Sequence, residues 1–250
     1  MGKRGQVTIF IIIAIIIIVI GILIYVFYPK IQSLVGSDSN HPDAFMQTCL
    51  EDEIEETVEI LSLQGGSMTP EHYFTFDDIN IEYLCYTNQN YGTCMIQQPL
   101  LKQHIESEIK NEISAEVRAC FDDLKTSFSK SGYDVNLKEG DIIIELLPEK
   151  IVTTLTSELT LTKGDTERYE TFHIILNNNL YELVSISNSI IEWEATLGDA
   201  DPRIYMTYYS DLKVEKNLRD DGTRIYVLTD RNTKDKFQFA SRSLVFPPGH

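Results

Sequence analysis

One uninterrupted apolar run, Val7 to Tyr28, limits what this chain can fold into more than any other feature. It holds 22 residues, no charge and a single small hydroxyl, Thr8. As a helix rising ~1.5 Å per residue it reaches ~33 Å, enough to cross a hydrocarbon core of ~30 Å. An unpaired peptide group in lipid costs several kcal/mol, so the run is expected to be helical despite its many β-branched isoleucines. The competing reading is a removable secretory signal. Such a signal has a shorter apolar region of ~7–15 residues and a small-residue cleavage site behind it. Here Tyr28-Pro29-Lys30 follows. A retained transmembrane helix is the expectation.

Lys3 and Arg4 precede the run, and short basic flanks stay cytoplasmic. Tyr25, Phe27 and Tyr28 suit an aromatic belt at the outer interface. The expected organisation is a cytoplasmic basic stretch (1–6), a membrane helix (7–28), a polar linker (29–42) and an extracytoplasmic domain (43–250). The lipid bilayer is then the first partner, and the cell membrane is the location.

Charge narrows the outer part. All 38 acidic residues lie beyond residue 30, with 18 of the 21 Lys and Arg, a balance of −20. Such a field repels phosphate backbones, so nucleic acid is excluded as a partner. Four cysteines, Cys49, Cys85, Cys94 and Cys120, all fall on the expected outer side. An even count in an oxidising setting points to two disulfides. Cys85 and Cys94 flank a turn-rich stretch and can close a hairpin loop. Cys49 and Cys120 lie on two expected helices and can join them. Free thiols and a zinc site are the alternatives, although no Cys-x-x-Cys spacing occurs and no histidine lies close in sequence.

Periodicity gives the outer architecture. Asp43 is expected to cap a helix running to about Leu63, with Phe45, Met46, Cys49, Leu50, Ile54, Val58 and Leu61 on its apolar face. Gly65-Gly66 ends it. Tyr73–Phe76 and Ile79–Tyr86 read as short strands around Asp77-Asp78. A second helix over Leu100 to Ser129 carries a stripe from Leu101 to Phe128 and is expected to pack on the first. The period then changes to two. Tyr133–Leu137 and Ile142–Leu147 read as a hairpin about Lys138-Glu139-Gly140-Asp141, and Ile151–Leu161 as a half-exposed Thr-rich strand. A third helix spans Asn179 to Leu197, its apolar set including Ile186 and Trp193. Leu212–Asn217, Arg224–Thr229 and Lys236–Ala240 form a meander. The fold class is α+β: a single N-terminal transmembrane helix, then long amphipathic helices and antiparallel strands in blocks.

No catalytic constellation rises above background. Nucleophile-elbow, zincin, Walker and dinucleotide motifs are absent from the sequence. His41, His72, His104, His173 and His250 are scattered, and His104 reads as a packed or half-exposed residue beside the apolar stripe. Asp199 and Asp201 can offer oxygens to Ca²⁺, but a calcium loop supplies more ligands, so turn and cap roles are expected. Glu106, Glu108, Glu112 and Glu116 read as a solvated face. Catalytic, cofactor-binding and metal residues are therefore expected to be none, and no cofactor is implied.

The opening Lys3-Arg4-Gly5-Gln6-Val7-Thr8-Ile9-Phe10, leading into the Ile-rich helix, resembles the class III signal of archaeal type IV pilins. The resemblance implies cleavage between Gly5 and Gln6 and bundling of the helices into a filament core. Many members carry Glu at the fifth mature position, and this chain has Phe10 there. The expectation is a non-enzymatic, single-pass cell-surface protein that self-assembles through its N-terminal helix. The alternative is a membrane-anchored receptor or adhesin that meets a surface protein through the aromatic stretch Tyr73 to Tyr91.

Overall fold

The structure, a computed structural model, describes residues 41–245. All but the first few of these residues belong to one compact unit that begins at Met46. The apolar run and the expected cut between Gly5 and Gln6 lie outside the described residues. Among the described residues no helix is long and apolar enough to cross a membrane.

The described chain is α+β, with four helices and two sheets. Helix α1 spans Pro42–Leu63. Pro42 opens it, where a missing amide proton costs nothing. Asp43 therefore sits inside the first turn instead of capping it. Gly66, at φ +97°, donates its amide to the Leu61 carbonyl and turns the chain away, a conformation that L side chains rarely adopt.

Helix α2 spans Leu101–Lys130 and buries Leu101, Ile105, Ile109, Ile113, Val117, Cys120, Phe121, Leu124 and Phe128, the whole expected stripe. Strands β4 (Asp134–Leu147), β5 (Lys150–Lys163) and β6 (Asp165–Asn177) form an antiparallel three-stranded sheet. A 30-residue helix and 14-residue strands are matched in reach, each ~45 Å. Phe121 meets Phe172 of β6 edge-on. Along β5, Ile151, Thr153, Leu155, Ser157, Leu159 and Leu161 are buried, while Thr154, Thr156, Thr160 and Thr162 stay half-exposed.

The expected hairpin at residues 133–147 is instead one strand. Lys138-Glu139-Gly140-Asp141 forms a bulge between Glu139 and Ile142. The Asp141 amide donates to Thr156 Oγ1 at 2.6 Å, and that hydroxyl returns a bond to the Asp141 carbonyl. A Cβ on Gly140 would lie 2.7 Å from the Thr156 carbonyl oxygen, which explains the glycine.

Short strands β1 (Tyr73–Phe76), β2 (Ile79–Tyr86) and β3 (Met95–Ile96) precede α2. Helix α3 covers Leu180–Leu197, and a short helix α4 covers Pro202–Tyr208. The C-terminal meander is β7 (Leu212–Leu218), β8 (Thr223–Asp230) and β9 (Lys236–Arg242). These strands build a second sheet in the order β1-β2-β9-β8-β7, with β3 on β2. Only the β2–β9 pairing is parallel among its described pairs. Helix α3 packs on this sheet and also reaches α2 and β5. Its buried positions are Leu180, Leu183, Val184, Ser187, Ile190, Ile191 and Glu194. Ile186 and Trp193, expected inside, are half-buried.

Candidate functional site

Two disulfides frame the domain. Cys49 of α1 joins Cys120 of α2 with the Cα atoms 6.0 Å apart. Cys85 of β2 joins Cys94 with the Cα atoms 5.3 Å apart. Among the described residues no cysteine is free, so thiol and zinc readings do not describe this state. The Cys85–Cys94 bridge closes a loop that ends at β3.

Cys94 also leads into a buried polar network. Its amide donates to Ser243 Oγ at 2.9 Å, and that hydroxyl donates to the Glu194 carbonyl at 3.0 Å. Glu194 is fully buried. Its carboxylate accepts from the Tyr226 hydroxyl, the Ala200 amide at 3.1 Å, Ser241 Oγ at 3.3 Å and Arg224 Nη1 at 3.4 Å. Burial, then the Glu194 charge, pushes the Tyr226 hydroxyl far above its ordinary range, so it stays a donor. A buried carboxylate with four donors, one of them a guanidinium, is satisfied; removing Arg224 would strand the buried carboxylate. The network fastens α3 to β8 and β9.

Asp199 and Asp201 do not converge. Asp199 pairs with Lys216 and, at 3.2 Å, with Arg224 Nε. Asp201 caps α4, accepting the Arg203 amide at 3.0 Å and the Arg203 guanidinium at 2.9 Å. Those bonds from Arg203 hold its carboxyl at about 2. Both carboxylates are already matched by cations of the chain.

A second cluster has no signal in the sequence. Ser67 Oγ donates to the Glu82 carboxylate and lies 2.9 Å from His104 Nε2. The Met68 amide donates to Glu108 at 2.9 Å. Burial raises the Glu82 carboxyl, and Glu108 and Glu71 raise it further; Ser67 and His104 oppose them. Ser, His and Glu together suggest acyl transfer, but Ser67 stands between the other two. In a working triad the histidine is in the middle, and Ser67 is only 5% exposed. The cluster ties the loop after α1 to α2 and β2.

The acidic side of α2 divides. Glu106 accepts the Leu146 amide at 2.9 Å and pairs with Lys102, and Glu108 holds Met68. These two glutamates satisfy backbone donors instead of facing only water. Glu112 and Glu116 approach Glu53 of α1. Its carboxyl is raised by partial burial, then by Glu116, Glu56 and Glu112. His173 Nδ1 lies 3.2 Å from Thr154 Oγ1 on the outer face of the smaller sheet. His41 and His72 are exposed, and His250 lies outside the described residues.

Two open clefts lie on the surface of the described residues. One, about 380 Å³, has Glu55 and Glu59 of α1 on one wall and Lys234 and Lys236 on the other. The second, about 470 Å³, lies at the bulge beside Glu139 and Glu170. The aromatic stretch forms one face of the larger sheet. Phe74, Phe76, Ile79 and Tyr86 are half-buried around Ile81 and Tyr83. Arg219 stacks 4.5 Å over Phe76, and His72 meets Tyr86 at 4.1 Å. Compared with known proteins, the chain matches no family model, no curated protein and no solved structure.

Proposed function

We propose that this chain is a non-enzymatic, single-pass cell-surface protein that presents an acidic α+β domain outside the membrane as a pilin-like or surface-assembly subunit. The observation that carries the reading is the pairing of all four cysteines, every one beyond the apolar run. Disulfides persist in oxidising compartments, which is where the basic flank Lys3-Arg4 directs the domain. Assembly would use van der Waals packing of the Val7–Tyr28 helices. Gly21 is the sole glycine in that run, so close crossing through a Gly-xxx-Gly pair is not its mode.

A membrane-anchored binding module is the second reading. It is favoured by the half-buried aromatics around Tyr83 and by Tyr91, 78% exposed. Exposed tyrosines are common at recognition surfaces. N-terminal sequencing of native material separates the two. A mature chain starting at Gln6 supports the pilin-like subunit, and one retaining residues 1–5 supports the plain anchor. Protease added to intact cells should digest the domain; a protected domain with reduced thiols overturns both.

A further inference from the structure

We propose that breaking the Cys49–Cys120 bridge uncovers a Cys₂Glu₂ site for a thiophilic divalent cation of the Zn²⁺ class, formed by Cys49 and Glu53 of α1 with Glu116 and Cys120 of α2. Each helix offers one thiol and one carboxylate four residues apart, the spacing that puts both on one helical face. The ligand atoms of Cys49, Glu116 and Cys120 already lie within 4.8 Å of one another. Tetrahedral zinc, with bonds of ~2.0–2.3 Å, needs its ligand atoms roughly 3.3–3.8 Å apart, so side-chain rotation is enough. Glu53, one helical turn beyond Cys49 on α1, is the carboxylate placed to complete the set. Cys120 is buried, Cys49 half-buried and Glu116 exposed, which leaves one open side for the ion. Two thiolates and two carboxylates around a divalent ion leave the same net charge as a four-thiolate zinc site.

The switch is chemically balanced. A dithiol gives up two electrons and two protons and becomes a disulfide. The Cys49–Cys120 S–S bond breaks and two S–H bonds form. The cation then displaces both thiol protons to solvent. Oxidation reverses the steps and ejects the ion, because disulfide sulfur is a poor ligand. The cation is thus held where thiols are kept reduced and released where they are oxidised. This inference does not rest on the membrane reading.

The test uses the full chain in detergent micelles, oxidised or reduced with a phosphine that takes its oxygen from water, and titrated with Co²⁺ and then Zn²⁺. The expected result is one Co²⁺ per reduced chain with a thiolate charge-transfer band, none on the oxidised chain, and displacement by Zn²⁺. E116Q and E53Q should each weaken binding by roughly tenfold or more. If reduction unfolds the chain, Zn²⁺ should restore the folded circular-dichroism signal in the parent and not in E116Q. A reduced chain that shows neither the band nor Zn²⁺-dependent refolding overturns the proposal. So does binding unchanged in both variants, which would place the ion on Cys85 and Cys94.

Discussion

Glu82 shows how a single residue links fold to solution conditions. Its carboxyl titrates above the ordinary 4.5, first because it is buried and then because Glu108 and Glu71 stand near it. The folded state therefore binds this proton more tightly than the unfolded chain does. Its contribution to stability is present below the ordinary value and is lost as pH rises through the raised one. Glu82→Gln removes the charge and keeps an acceptor for Ser67. Its melting temperature should gain on the parent as pH moves from acid to neutral. A gain equal at both ends would show that Glu82 is not the titrating group. The Ser67, Glu82 and His104 cluster was invisible in the sequence because three separate elements supply it. Glu194 and Ser187 were hidden differently. They occupy core positions of α3, but a rule that counts apolar residues passes over them and chooses Ile186 and Trp193.

At the scale of elements, legibility followed periodicity. The α2 stripe was read residue by residue because its apolar positions recur every third or fourth residue through the whole helix, a pattern that only a helix satisfies. Strands β1 and β2 were read at their observed limits because Asp77-Asp78 separates them. Strand β4 was misread because Lys138-Glu139-Gly140-Asp141 has the composition of a turn, and a bulge needs the same glycine. Strand β6 was missed because Asp165 to Glu170 is mostly polar, and α4 because Asp201-Pro202 signals a break as well as a start. The disulfide ends were legible, although their pairing was not fixed. The two bridges should contribute unequally. Cys49–Cys120 spans 71 residues and Cys85–Cys94 spans 9. Chain entropy then assigns roughly 4 and roughly 2.5 kcal/mol. Paired serine substitutions, compared by denaturant unfolding, should show the larger loss for C49S/C120S. The reverse order would mean that native packing around Cys85 outweighs loop closure.

For the whole molecule, the excess of acid dominates. The net charge is −17, and Glu56, Glu112 and Glu116 stand close enough to act on Glu53. Repulsion of this kind works against the compact state and is screened by salt. Added neutral salt should therefore raise the melting temperature of the intact protein. A fall would show that attractive pairs such as Lys216–Asp199 outweigh the repulsion. Position in the chain has a further effect. Strand β9 lies between β2 and β8, with Ala240 beside Tyr83, so the last of the described strands in chain order enters the middle of the larger sheet. Until it arrives, β1 and β2 have no neighbour on that side, and β8 lacks one of its two. A polypeptide threaded head-first through a translocation channel would emerge with this sheet still open, and could not close it until β9 had passed through.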